Sequence, residues 1–230
     1  MAFRRLGNKV VISGRREEVL MDVAAQNPGI GYVTMDVTDP ASVRAAAAEV
    51  TGRFPELNVV INNAGVQRSH DLAADTPLDD QALLDEVNTN LLGVLRCSAA
   101  FLPHLKTKGG AMLINVSSGL AFVPLARFPV YCATKAAVHS FTVSLRHQLR
   151  GTGVKVVELI PPYVATELDR TTRHGKPEGG PASMPLDAFI HAAMEELSTG
   201  GEELPVAEAK RLHAAGTNDA AKVVFGRMNG

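Results

Sequence analysis

The chain has 230 residues, 46% of them apolar, with 23 basic and 24 acidic side chains and a formal net charge of −1 at pH 7. That length suits one α/β domain, the apolar share supplies a core, and the near-neutral balance gives no electrostatic case for nucleic acid. No apolar run is long enough to span a bilayer and no charged-then-apolar segment opens the chain, so no membrane role is expected; Cys97 and Cys132 lack metal-ligand spacing and read as buried thiols in a reducing compartment, the cytoplasm, with no metal.

In chain order, Ala2 to Leu6 reads as the last turn of a helix, stopped by Gly7 and Asn8. KVVIS (9–13) reads as a short buried strand and YVTMDV (32–37) as a second. Pro40 stands where a first helical turn belongs, and ASVRAAAAEVTGRF follows as helix. LNVVIN (57–62) is a strand, and residues 79–104 carry Leu84, Val87, Leu91, Val94 and Leu95 at helical spacing. AMLINVS (111–117) is a strand; Val138, Phe141, Leu145 and Leu149 mark a long helix. VKVVELI (154–160) is a strand, Leu186 to Leu197 a helix, and GEELPVA (201–207) a last strand. Near-continuous apolar strands alternating with helices predict a parallel sheet covered on both faces. Ligands in such sheets bind beyond the carboxyl ends of the strands.

The residues with chemistry fall at those ends. In YCATK, Tyr131 and Lys135 are one helical turn apart and share a face. A free phenol titrates near about 10, too high to exchange protons at neutrality, and an adjacent lysine cation lowers that value. The pair can act as an acid/base, although the same spacing also arises in exposed helical pairs that do nothing. INVSSG (114–119) leaves a strand with Ser118 thirteen residues before Tyr131. INNAG (61–65) leaves another with a small-residue turn that a ligand can approach closely. NTNLLG (88–93) puts Asn90 inside the long helix, where asparagine is a poor helix former.

NNAG, the asparagine in the helix, the serine, the YxxxK and PPYVAT (161–166) stand in the order and near the spacings of the short-chain dehydrogenase/reductase family, which this chain resembles from about residue 8 to residue 170. INNAGVQ, NVSSGLAFVP and PLDAF look most like a bacterial branch labelled DltE-type oxidoreductases. The resemblance implies a Rossmann-like, doubly wound parallel sheet in a single domain, residues 1–230. It implies that Tyr131 donates a proton to a substrate carbonyl, that Lys135 lowers its pKa and holds the nicotinamide ribose, and that Tyr131 as well as Lys135 contacts the cofactor. Ser118 would hydrogen-bond the carbonyl oxygen, and Asn90 would hold a water that relays protons to Lys135. Asp36 and Val37 would bracket the adenine, and Asn63, Ala64 and Gly65 would line the adenosine side. Val164 and Thr166 would fix the nicotinamide amide.

The KVVIS strand ends SGRR, with no acid to take ribose hydroxyls. Arg15 and Arg16 are either solvated residues opening a helix or partners of a 2′-phosphate, and the latter favours NADP (NADPH). Pro161–Pro162 departs from the family's Pro-Gly; proline fixes φ and lacks a donor, so the turn beside the nicotinamide should differ. No TGxxxGxG occurs in the chain. The family's first strand and glycine-rich turn would precede Met1, so either Met1 is an internal methionine of a longer protein or the product is this short. In the order 3-2-1-4-5-6 that strand is central, and its absence predicts a slot in the sheet lined by unpaired backbone groups.

The loop 167–185, with Arg170, Arg173, His174 and Lys176, reads as a lid whose basic residues either favour an anionic substrate or are simply solvated. LAFVPLARFPV (120–130) would line the site for a small, moderately apolar carbonyl or alcohol. His139 and His147 read as surface or interface residues, and the resemblance implies a homodimer or homotetramer built on the two long helices. The rival reading is a binding or scaffolding module that has lost its cofactor.

Overall fold

The computed structural model describes residues 2–73, 77–166, 168 and 183–217. A short helix, α1 (Ala2–Arg5), stops where Gly7 takes a φ of 82°, a left-handed value that glycine adopts at no steric cost. Strand β1 (Val10–Gly14) follows, then α2 (Glu17–Gln26), whose first turn carries two acids at the positive end of the helix dipole. After β2 (Ile30–Thr34), helix α3 (Pro40–Arg53) starts on Asp39, whose side chain accepts from Ala41 N at 2.8 Å. Strand β3 (Val59–Asn62) leads through a long loop to α4 (Asp80–Val87), capped by Asp79.

A π-helical turn, Asn88–Leu92, joins α4 to α5 (Gly93–Leu105). Then come β4 (Met112–Val116), a 3-10 turn (Gly119–Ala121) and the long helix α6 (Pro129–Gln148). Strand β5 (Lys155–Ile160), helix α7 (Leu186–Ser198), strand β6 (Glu203–Pro205) and helix α8 (Ala209–Gly216) complete the described chain.

Among the described residues every strand pairing is parallel, as the apolar strand runs predict, and the strands form two separate ladders, β1–β2 and β3–β4–β5–β6. One apolar cluster joins Val43, Ala47 and Val50 of α3, Phe101 and Leu105 of α5, Leu113 of β4 and Val156 of β5. A second, on the opposite face, joins Ile114, Val116, Val157 and Leu159 to Ala193 and Phe189 of α7. Each residue step along a strand changes face, so β4 and β5 feed both clusters. Four polar side chains interrupt the first face. Asn62 Nδ2 donates to Asn115 Oδ1 at 2.8 Å and to Ser98 Oγ at 3.1 Å, and Asn115 Nδ2 donates to Thr142 Oγ1 at 3.0 Å. Their buried polar atoms find partners in one another, which removes the cost of burying them, and they tie β3 and β4 to α5 and α6 beneath the strand ends.

Two elements differ from the sequence reading. The second strand begins at Ile30 and stops at Thr34, because Asp36 turns the chain: its Oδ1 accepts from Thr38 N and Thr38 Oγ1, and its own N–H goes to Ser42 Oγ. Helix α8 has no counterpart in the sequence reading; its Leu212 packs where a Cβ on Gly119 would stand 2.8 Å away.

The slot is present. Among the described residues β1 pairs only with β2 and β3 only with β4, and both line one cleft of about 430 Å³. Ile61, in the middle of β3, is 39% exposed there, an unusual state for an isoleucine inside a strand.

Candidate active site

The strand ends around that cleft position most of the side chains singled out from sequence. Arg15 follows β1, Asp36 and Val37 follow β2, and Asn63, Ala64 and Gly65 follow β3; all six line the cleft. Arg16 does not line it; it stands at the start of α2. Burial would raise the Asp36 carboxyl, but the two bonds from Thr38 and the charge of Arg15 outweigh that and lower its pKa. Asp36 is therefore a fixed carboxylate facing the guanidinium. Arg96 of α5 holds the same turn from behind, donating to Thr38 O at 3.0 Å. Gly93 allows the close approach of α5 here, since a Cβ would lie 2.9 Å from Val37 Cγ2.

Asn90 ties the cleft to the helix α6. Its Oδ1 accepts from Val66 N at 2.8 Å, and its Nδ2 donates to Val66 O at 2.8 Å and to Thr134 Oγ1 at 3.2 Å. The π-helical turn aims this side chain inward, a distortion that recurs at functional sites. With its amide engaged on both sides, the Asn90 side chain tethers Val66, just past the NNAG turn, to the helix α6. Gly65 then sits against the lysine, where a Cβ would be 3.5 Å from Asn90 Oδ1 and 3.8 Å from Lys135 Nζ.

Pro129 opens α6 with the ring at a position that needs no N–H. Tyr131 and Lys135 follow on one face, and neither is an exposed helical pair: they are 6% and 4% exposed. Lys135 Nζ donates to Val116 O at 2.8 Å and lies 5.7 Å from the centre of the Tyr131 ring. Ser118 ends the extended segment after β4 and caps the 3-10 turn by accepting from Leu120 N at 3.1 Å. Burial pushes the Tyr131 phenol up to about 12; a hydrogen bond with Ser118 opposes this, and the charges of Cys132 and Glu86 add to it. Burial likewise pulls Lys135 down to about 8, against the charge of Glu158. Desolvation thus outweighs, in the protein alone, the lowering of the phenol expected from its lysine neighbour.

Val164 and Thr166 lie past β5 and do not line the cleft. The chain there forms a parallel bridge, Val164 with Met184, with Ala165 N donating to Met184 O at 2.9 Å and Met184 N to Tyr163 O at 2.9 Å. This brings together the two ends of the segment read as a lid; residues 167 and 169–182 of it lie outside the described residues. The altered Pro161–Pro162 turn is held by Gly119 N, which donates to Pro161 O at 3.0 Å.

Two buried pairs flank α6 that the sequence reading missed. Glu86 accepts at Oε2 from His70 at 2.9 Å and at Oε1 from Arg68 N at 3.2 Å. Glu158 meets His139 Nδ1 at 2.7 Å. His139, read from sequence as a surface or interface residue, is instead partly buried and stacks its ring edge on Phe122 at 4.7 Å. The only sequence signal was a glutamate inside the apolar run VKVVELI. Burial lowers the His139 pKa, but the hydrogen bond and charge of Glu158, with Glu203, more than offset this, and the net shift is upward. The protonated pair therefore stabilises the fold fully below the ordinary imidazole value of 6.5 and loses that contribution as pH rises through the raised folded value. Urea midpoints of the wild type are expected to exceed those of His139→Gln most at about pH 6, with the gap narrowing as pH rises; a gap that widened toward alkaline pH would contradict the pairing.

Among the described residues no cluster of three or more His, Cys, Asp or Glu side chains could hold a metal ion, and no helix is long and apolar enough to cross a membrane.

The family model described as short chain dehydrogenase matches residues 1–177. The chain is 38% identical over 228 residues to the uncharacterized oxidoreductase DltE of Bacillus subtilis (strain 168), an alignment that covers 97% of this chain and 88% of the relative. A solved short chain dehydrogenase from Burkholderia cenocepacia J2315, in complex with NADP, is 29% identical with a TM-score of 0.78 over 100% of this chain and 90% of that one. An alcohol dehydrogenase from the archaeon Thermococcus sibiricus, complexed with 5-hydroxy-NADP, is 26% identical with a TM-score of 0.74, covering 88% of this chain and 87% of that one.

Proposed function

This chain belongs to the short-chain dehydrogenase family, and from that premise we propose that it interconverts a carbonyl and an alcohol on a small, moderately apolar substrate with NADP. The observation that carries the reading is the convergence of Ser118, Tyr131 and Lys135, all buried, beside a cleft that Arg15, Asp36 and the Asn63–Gly65 turn line.

The residues present suit the adenosine half of such a cofactor. Arg15 offers a guanidinium to a phosphate beyond β1, and no acid at the end of that strand competes for ribose hydroxyls. The small residues Ala64 and Gly65 let a flat ligand approach the backbone. The two solved relatives that carry NADP or its hydroxy derivative support the same choice.

When bound, NADP supplies the hydride acceptor or donor. The chain's own part is positioning and proton transfer. Ser118 Oγ, fixed at the 3-10 turn, offers a hydrogen bond to the substrate oxygen. Tyr131 holds the proton that this oxygen gains in reduction or loses in oxidation. Lys135, at the inner end of the same helix face, supplies the positive charge that stabilises the phenolate. Val164 and Thr166, on the bridged segment past β5, are the residues we assign to the nicotinamide end. The two free buried thiols suit a reducing cytoplasm.

Arg15→Asp tests the cofactor assignment. Losing one charge-assisted bond worth about 1.5–3 kcal/mol should weaken NADPH binding by about 10- to 150-fold. NADH binding should hold or improve. Titrations of both nucleotides, followed by their fluorescence before and after the substitution, make the comparison. An unchanged NADPH-to-NADH ratio would remove Arg15 from the site.

A further inference from the structure

Strand β5 carries an anomaly directly beneath α6. Val154 and Val156 enter the core cluster shared with α6, and Val157 and Leu159 enter the cluster on the other face. Alternation puts position 158 on the α6 side, where an aliphatic residue would pack. Glu158 stands there instead, 0% exposed. One oxygen meets His139; the other, Oε1, is buried without a hydrogen-bond partner. A buried carboxylate oxygen in that state is costly, so the acid is not explained by packing.

His139 lies one helical turn beyond Lys135, which lies one turn beyond Tyr131, so the three share one stripe of α6. Lys135 is a buried cation with three donors, of which the bond to Val116 O uses one. We infer that Glu158, anchored by His139, is the counter-charge of Lys135 and keeps that lysine a cation beside Tyr131. Glu158 is thus a positioning residue for the proposed acid/base, and the inference rests on the function proposed above.

The charged surroundings agree in sign. Glu158 is the group that raises Lys135 against the effect of its burial. His139 feels Glu158, Glu203 of β6 and Arg146 of α6, while Glu86 of α4 acts on Tyr131. No cation other than His139 hydrogen-bonds Glu158 among the described residues. Removing the Glu158 charge leaves a desolvated ammonium with no carboxylate to hold it, and the lysine then sheds its proton near neutrality.

The test reads the charge of Lys135 itself. Lysine side chains of the full chain are carbon-labelled, Lys135 is assigned with Lys135→Arg, and its resonance is followed with pH. In the wild type Lys135 should titrate at about 8. In Glu158→Gln the midpoint should fall by about one pH unit, and Glu158→Asp should restore it. A merely structural role predicts the opposite sign, because loosened packing admits water and moves a buried lysine up toward its ordinary value. An unchanged or raised midpoint in Glu158→Gln overturns the inference. Where that variant does not fold, His139→Gln decides: freed of its partner, the carboxylate should raise the Lys135 midpoint, and an unchanged or lowered one overturns it. The readout needs neither cofactor nor substrate, so its failure is separable from failure of the NADP assignment, which the Arg15 titrations report.

Discussion

Turnover by Tyr131→Phe is expected to fall by about a hundredfold to ten-thousandfold, the usual contribution of a positioned general acid or base. The substitution deletes one oxygen and keeps the ring. Tyr131 is almost wholly buried, so phenylalanine fills the same space without opening a cavity. What disappears is the phenolic proton that the proposed reaction transfers and the hydrogen bond with Ser118. Tyr131 does not line the cleft that carries Arg15 and Asp36, so NADPH binding should change little. Oxidation of NADPH with a panel of small ketones and aldehydes, read beside a fluorescence titration, separates the two effects. Near-wild-type rates in the variant would take the phenol out of the chemistry.

Asn90→Ala is expected to cost about 2–4 kcal/mol of folding stability. The alanine leaves Val66 N–H and Val66 C=O without the partners that now bond them at 2.8 Å, and Thr134 loses a third contact. Each buried polar group left unmade costs about 1–3 kcal/mol, and half-burial of the loop favours the lower part of that range. The same change should loosen Gly65 against Lys135 and weaken NADPH binding along with stability. Urea unfolding gives the first quantity and titration the second. A loss below about 0.5 kcal/mol, the size of an ordinary surface change, would mean that water replaces the amide fully and that the loop needs no tether.

The parallel pairing and the strand ends that border the cleft follow from local signals. Apolar runs of four to six residues between helices leave little choice but a parallel sheet, and SGRR, NNAG and VSSG each mark a strand end by a change from apolar to small or polar residues. Side chains whose role depends on a distant partner were not legible. His139 and Glu158 are 19 residues apart on different elements, and His70 and Glu86 face each other across the loop after β3. A histidine on a helix reads as solvated until its neighbour is known. The end of β2 was misplaced because Asp36 closes a turn through Thr38 and Ser42, a competition between side chain and ladder that apolar periodicity does not reveal. Helix α8 is short, and its anchoring contact is with Gly119, nearly a hundred residues earlier. The upward shift of the Tyr131 phenol also escaped sequence reasoning. Spacing gives the lysine's proximity, whereas the opposing desolvation depends on how completely the fold closes over both groups.

The divided sheet has a thermodynamic consequence. No ladder bond among the described residues crosses from β1 to β3. The β1–β2 half is joined to the rest by side chains: the apolar seam between α3 and α5, and Arg96 reaching the carbonyls of Val37 and Thr38. Any ligand that touches Arg15 and Asp36 on one bank and the Asn63–Gly65 turn on the other is therefore a brace as well as a reagent. By linkage, a ligand at a hundred times its Kd adds about 2.7 kcal/mol to whatever closed state it requires. Separation of the two halves and release of the nucleotide become the same event observed from two sides. The melting temperature of this protein would then rise and fall with the concentration of free dinucleotide around it.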